Sequence, residues 1–114
     1  MRVYKVVFKA RDGRLTSAIA LVEYQPGQWA EAPKWLAEKG YHLFAFKTLE
    51  DARVAIGDSL CKDFFEIWEA EAEGIVEDLP EPADRIVLAE GKIVKDDIGY
   101  PDGTVMAKRL KVWP

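Results

Sequence analysis

The sequence predicts one α+β domain spanning residues 1–114, built mainly from an antiparallel sheet with one principal helix from Thr48 to about Ile56. Three observations lead to this fold class. A chain of 114 residues has the usual size of a single domain. Hydrophobic residues make up 49% of it, which is enough for a compact core. Short segments with strand-like alternation, bounded by glycine and proline turns, outnumber segments with helical spacing.

The first element is predicted to be a β-hairpin. Its first strand runs from Tyr4 to Phe8 and is dense in valine and aromatic residues, which favour strands. Its second strand runs from Leu15 to Val22. The Asp12-Gly13 pair between them suits the left-handed backbone of a tight turn.

The middle of the chain predicts two helices around a short strand. Pro33 fits a first helical turn, so a short helix is expected from Lys34 to Lys39, followed by an apolar strand from His42 to Phe46. The principal helix begins at Thr48, with Asp51 three residues later as in a capping box. Apolar residues then recur at helical spacing, at Leu49, Ala52, Ile56 and Leu60.

The second half predicts further strands. Phe64 to Glu73 alternates strictly, with Trp68, Ala70 and Ala72 on one face, and a proline-containing loop is expected from Gly74 to Ala83. Residues 85–90 and 92–95 form either a hairpin around Gly91 or one bent strand. The last strand, from Thr104 to Trp113, follows a Pro-Asp-Gly turn.

The overall charge and the single cysteine restrict the class of protein. A net charge of −4 and a pI near 5.0 make a nucleic-acid partner unlikely, because such proteins normally carry a basic surface. Cys61 cannot form an internal disulfide, and His42 is the only histidine available to activate it, so we expect a structural thiol in a reducing compartment. No apolar run approaches the roughly 20 residues of a membrane span, so a cytoplasmic protein without a membrane partner is predicted.

The aromatic residues give the candidate binding site. Trp68 and Trp113 lie in predicted strands and are expected in the core. Trp29 and Trp35 flank the proline-containing segment, and large aromatics anchor both pockets and interfaces. The predicted ligand- or partner-binding residues are Tyr24, Trp29, Trp35 and His42.

Charged residues on two strands are the other candidates. Glu69, Glu71 and Glu73 share one strand face, which is typical of a solvated surface and less often of a cation site. They are also placed to pair with Lys108 or Lys111 across the sheet. The basic residues of the last strand, Lys108, Arg109 and Lys111, fit either a phosphate site or a charge-balanced surface. No catalytic set, metal site or cofactor is predicted.

Two stretches carry a resemblance to known domains. They read Phe46-Lys47-Thr48-Leu49-Glu50-Asp51-Ala52 and Phe65-Glu66-Ile67-Trp68-Glu69-Ala70-Glu71. This order resembles small uncharacterised phage and prophage domains, and it is similar to the strand–helix–strand core of ADP-ribosyltransferase-like folds. Those enzymes hold the dinucleotide with an arginine or histidine on the first strand, where this chain has Tyr4-Lys5-Val6-Val7. The resemblance therefore implies the architecture and not the activity.

These observations favour a small non-enzymatic binding protein of phage or mobile-element origin. It would act through a protein interface or a nucleotide-like ligand pocket, and self-association would cover exposed strand edges. The alternatives are a small enzyme of the ADP-ribosyl-transfer type and a structural component of an assembly.

Overall fold

A computed structural model describes residues 1–9, 15–17, 22–57, 65–80, 83–87, 92–95 and 99–113. Within these ranges the chain forms nine strands and two helices. The strands are β1 Arg2–Lys9, β2 Leu15–Ser17, β3 Glu23–Tyr24, β4 Trp29–Glu31, β5 Leu43–Phe46, β6 Phe65–Val76, β7 Ala83–Val87, β8 Lys92–Lys95 and β9 Thr104–Trp113. The helices are α1 Lys34–Glu38 and α2 Leu49–Ile56.

Four antiparallel strands close into a small barrel. β1 pairs with β5, β5 with β9, β9 with β6, and β6 again with β1. In the described ranges 51 residues lie in strands and 13 in the two helices, which are short accessories. The predicted α+β class with one principal helix is therefore wrong. Alternation within a strand reveals its two faces but not its partners, so the pairing of β1 with β5 and β6 was hidden in the sequence.

The barrel interior explains why this sequence tolerates so narrow a ring. A barrel of only four strands has a narrow interior, because barrel diameter decreases as the number of strands decreases. Small side chains are therefore needed inside, and four alanines point into the core. Trp68 fills much of the remaining space and is only 8% exposed. The core is completed by Val3, Val7, Val22, Tyr24, Leu43, Ala45, Ala70, Ala72, Val105, Ala107, Leu110 and Val112.

Several local predictions are confirmed. β1 pairs antiparallel with β2, as the first hairpin requires, although the Asp12-Gly13 turn and residues 18–21 lie outside the described residues. The predicted extent of the second strand, Leu15 to Val22, is wrong, because Val22 is not in a strand and β3 pairs back antiparallel on β2. α1 and α2 form where they were predicted. The Thr48 hydroxyl accepts a hydrogen bond from the Asp51 backbone N–H at 3.0 Å, which caps α2. β9 has the predicted bounds.

Other boundaries differ from the predictions. β6 continues through Gly74 to Val76, where the sequence indicated a loop. Gly74 adopts φ 72°, and a Cβ there would lie 3.1 Å from the Cβ of Lys108, so glycine lets β6 pass close to β9. β4 arises in a stretch with no clear periodicity. β7 and β8 form the hairpin alternative, as a separate two-stranded sheet, while Gly91 and Cys61 lie outside the described residues.

The barrel is closed at one end and open at the other. At the closed end β5 bridges β1 and β9. Further along, the same edge of β1 continues into β2 and β3, and the same edge of β9 pairs with β4. In the described part of the chain β3 and β4 do not pair, although they run antiparallel and are joined only by residues 25–28. A gap in the ring therefore separates β3 from β4.

Candidate functional site

The outer face of β4, β9 and β6 carries three cross-strand rows of large or charged side chains. In the first row Arg109 of β9 lies opposite Glu31 of β4 and Glu73 of β6. In the second Lys111 lies opposite Trp29 and Glu71, and in the third Trp113 lies opposite Glu69. We call this surface the Trp29 patch; its members are Trp29, Glu31, Glu69, Glu71, Glu73, Arg109, Lys111 and Trp113.

Arg109 organises the first row. Its Nη1 donates to Oε1 of Glu73 at 3.1 Å, and its Nε lies 3.6 Å from Oε1 of Glu31. The guanidinium carbon also lies 4.5 Å from the centroid of the Trp29 ring. Arginine suits this position because its planar fork pairs with carboxylates and stacks on aromatic rings. The contacts hold the guanidinium and the indole against each other on the barrel surface.

Lys111 lies between two tryptophans. Its Nζ is 5.1 Å from the Trp29 ring centroid and 5.9 Å from that of Trp113. The expectation that Trp113 is in the core is wrong, since it is 42% exposed on this face. Trp68 was predicted correctly as a core residue, and its indole N–H donates to Oε2 of Glu66 at 2.9 Å. Trp113 follows the buried Val112 at the end of β9, so the pleat directs its side chain to the outer face.

The sequence predicted that the acidic face of β6 lies opposite Lys108 or Lys111. This is confirmed for Lys111, which is directly opposite Glu71 on the paired strand. Arg109, rather than Lys108, pairs with Glu73. Lys108 is exposed beside Gly74, so the three basic residues of β9 do not form one cluster. Among the residues that the structure describes, no group of three histidine, cysteine or carboxylate side chains is placed to hold a metal ion.

Trp35 and His42 lie away from the Trp29 patch. Trp35 packs on a second cluster with Leu36, Tyr41 and Phe44, where Leu36 and Tyr41 are 0% and 1% exposed. Phe44 lies opposite Met106 on β9, whereas Trp29 lies opposite Lys111, five residues or about 17 Å further along the strand. Leu36 and Tyr41 thus pack this segment against Phe44 of β5.

His42 and Tyr24 contact other parts of the fold and do not lie on the Trp29 patch. The His42 backbone N–H donates to the sulfur of Met106 at 3.3 Å. Desolvation, and then the positive charge of Lys108, lower the pKa of the His42 imidazole. Tyr24 is 2% exposed in the core, and burial raises its pKa above the ordinary value. The structure thus brings only Trp29, of the four predicted binding residues, into the patch.

One interior residue was not singled out by the sequence. Lys5 occupies a core position between Val3 and Val7, with 6% exposure. Its Nζ donates to the carbonyl oxygen of Phe44 at 2.6 Å and lies 5.4 Å from the Tyr24 ring centroid. Burial lowers the pKa of the Lys5 amine to about 7. The alternation Val3-Lys5-Val7 was a visible signal that a lysine would share the face of two core valines.

A hollow of about 240 Å³ lies at the gap between β3 and β4. It is bordered by Glu23 of β3, by all three residues of β4, and by Gln25 and Gln28 of the connecting turn. The turn is fixed by two backbone hydrogen bonds, from Gln28 N–H to the Gln25 carbonyl at 3.1 Å and from Gly27 N–H to the Val112 carbonyl at 2.9 Å. Trp29 and Glu31 belong to both the hollow and the Trp29 patch, so the two surfaces are continuous.

Comparisons with known proteins do not assign the chain to a family. No family model, no curated protein and no solved structure matches it. In the described part of the chain, none of the helices has the length and apolar character needed to cross a membrane. The function must therefore be inferred from the chemistry of the site itself.

Proposed function

We propose that this chain is a non-enzymatic binding protein that recognises a protein partner through the Trp29 patch. The observation that carries the proposal is the contact of Trp29 with Arg109 and Lys111, next to the exposed Trp113. Tryptophan and arginine are the residue types most enriched among the energetically dominant positions of protein interfaces. Here they are grouped on the outer face, and the hydrophobic core is complete without them.

The shape of the surface favours a protein partner over a small ligand. The patch lies across three adjacent strands, and such a surface is broad but does not enclose a small molecule. The adjoining hollow, at about 240 Å³, is smaller than the roughly 300–1,000 Å³ of ordinary small-molecule sites. A protein interface, in contrast, needs a packed aromatic centre with a polar rim, and the glutamates around Trp29 provide such a rim.

The net charge of the chain indicates what kind of partner surface fits. The four carboxylates of the patch lie near four cations, because the N-terminal ammonium is 2.9 Å from Glu71 and Arg2 is 4.0 Å from Glu69, in addition to Arg109 and Lys111. The patch is therefore nearly charge-balanced, whereas the whole chain has a net charge of −4. Complementary charge speeds encounter and selects partners, so we expect the partner surface to be basic.

Affinity capture with three forms of the chain tests this proposal. Wild type, Trp29→Ala and Trp35→Ala are immobilised, and proteins retained from extracts of the source organism are quantified by mass spectrometry. Trp35→Ala is the matched control, because it removes the same half-buried residue type from a different surface. Thermal melts verify that both variants are folded.

We expect a partner that Trp29→Ala retains at least about tenfold less well than wild type, as for a dominant interface tryptophan. Trp35→Ala should retain the same partner nearly as well as wild type. Capture that depends on Trp35 and not on Trp29 would contradict the proposal, and so would the absence of any reproducibly retained protein.

A further inference from the structure

At the gap between β3 and β4, the two strands are not hydrogen-bonded to each other in the described residues. β3 pairs with β2 on one edge, and β4 pairs with β9 on one edge. In the described residues neither strand has a partner on the edge that faces the hollow. Alternate N–H and C=O groups of an edge strand point away from its only neighbour and are available to another extended chain.

Uncharged polar residues lie at the base of this gap, and acidic residues lie at its mouth. β3 and β4 diverge from the turn at residues 25–28, so Gln25 and Gln28 lie at its base. Glu23 and Glu31, the residues of β3 and β4 furthest from the turn, lie at its mouth. The mouth is thus bordered by two carboxylates, and the strand that offers the free edge also supplies Trp29.

From this arrangement we infer that the gap binds a basic, extended segment of the protein partner. The segment adds as a strand along the free edge of β4 and places a lysine or arginine side chain at the mouth between Glu23 and Glu31. This inference rests on the proposed function and specifies the chemistry of the partner. Backbone hydrogen bonds to an edge strand supply affinity, and alternate side chains supply selectivity.

The pleat of β4 determines the pattern of the segment. Trp29 and Glu31 share the outer face, while Ala30 points to the opposite face, so side chains opposite Trp29 and Glu31 are two residues apart. Basic residues at alternate positions therefore lie on the outer face, beside the Glu31 carboxylate and the Trp29 ring. The side chain between them faces the apolar interior beside Ala30, which packs against the core.

Synthetic peptides provide a direct test. The first alternates lysine with valine; the second replaces each lysine by glutamate; the third carries a central proline in the lysine–valine sequence. Proline removes a backbone donor and disrupts addition to a strand edge. Binding to the full chain is measured by fluorescence anisotropy, and light scattering at the same protein concentrations reports self-association.

We expect the lysine–valine peptide to bind, the glutamate peptide not to bind, and the proline peptide to bind at least tenfold more weakly. Glu23→Gln and Glu31→Gln should each weaken binding about two- to fivefold, the range of exposed ion pairs. Glu38→Gln on α1 is the matched control, because it makes the same change in net charge at a distance from the gap. It should leave the affinity unchanged.

Four results would overturn the inference. The first is no binding of the lysine–valine peptide up to about 1 mM, the limit of weak affinity. The second is equal weakening by Glu38→Gln and by the two gap variants. The third is equal binding of the proline peptide. The fourth is a dimer that Glu23→Gln and Glu31→Gln dissociate, since a second copy would then occupy the edge. If capture still depends on Trp29 when the peptides fail, the proposed function stands and only the strand-addition inference is lost.

Discussion

At the scale of single residues, the buried lysine is the most unusual feature of the barrel. Lys5 donates a hydrogen bond to the Phe44 carbonyl and lies over the Tyr24 ring, yet burial still lowers the pKa of its amine from 10.5 to about 7. The unfolded chain therefore binds a proton between pH 7 and 10.5 that the folded chain does not bind. Stability must rise with pH across this window.

Replacement of Lys5 tests this linkage. We expect the free energy of unfolding of the wild type to rise from pH 7 to 9, with a contribution from Lys5 of at most about 1.4 kcal/mol per pH unit. Lys5→Met removes the titrating group, so it should flatten the profile and increase stability most at pH 6. Above pH 10 the raised pKa of Tyr24 acts in the opposite direction, because the unfolded tyrosine ionises first.

Urea denaturation at several pH values measures the effect, and Lys9→Met is the control. Lys9 lies on the same strand but is exposed, so its replacement should leave the pH profile unchanged. A Lys5→Met profile parallel to that of the wild type would contradict the buried position of Lys5.

At the scale of elements, a glycine turn fixes α2 to the barrel. Gly103 has φ 79°, and an added Cβ would lie 2.8 Å from the Cβ of Asp51 in the first turn of α2. The Gly103 carbonyl also accepts a hydrogen bond from the Lys47 N–H at 2.9 Å. The turn before β9 thus lies directly against the start of the helix, with no room for a side chain.

We expect Gly103→Ala to destabilise the fold by about 2 kcal/mol or more, because it adds a steric clash to the cost of a left-handed residue. Gly27→Ala is the matched control, since Gly27 has φ 76° but no heavy atom within 4 Å of its added Cβ. It should cost about 1 kcal/mol or less. Thermal or urea denaturation compares the two variants, and equal losses would argue against the packing of Gly103 on α2.

Elements with strong local signals were predictable. The Thr48 cap, the alternation around Trp68 and the turn before Thr104 each determine structure within a few residues, and α2, the middle of β6 and β9 formed as predicted. β4 was not predictable, because its three residues form a strand only through pairing with β9. The extension of β6 beyond Gly74 was missed for the same reason, since glycine usually interrupts a strand.

At the scale of the whole molecule, barrel closure determines which tryptophans are available. Closure directs Trp68 inward and leaves Trp29 and Trp113 on the outer face, with Trp35 on a separate cluster. The sequence indicated the surplus of tryptophans but not their grouping, because that grouping depends on the register of β9 with β4 and β6. Closure pairs both edges of β1, β5, β6 and β9, so in the described part of the chain the predicted self-association depends on the remaining edges of β3, β4, β7 and β8.

The four tryptophan indoles offer the most direct measurement of the central claim, that the Trp29 patch is the binding surface. In a chain labelled with ¹⁵N-tryptophan, each indole N–H gives one NMR signal, assigned by single substitutions to phenylalanine. On titration with the captured partner, the signals of Trp29 and Trp113 should shift or broaden, while those of Trp35 and the buried Trp68 remain in place. Movement of the Trp35 signal, with Trp29 and Trp113 unaffected, would contradict the account.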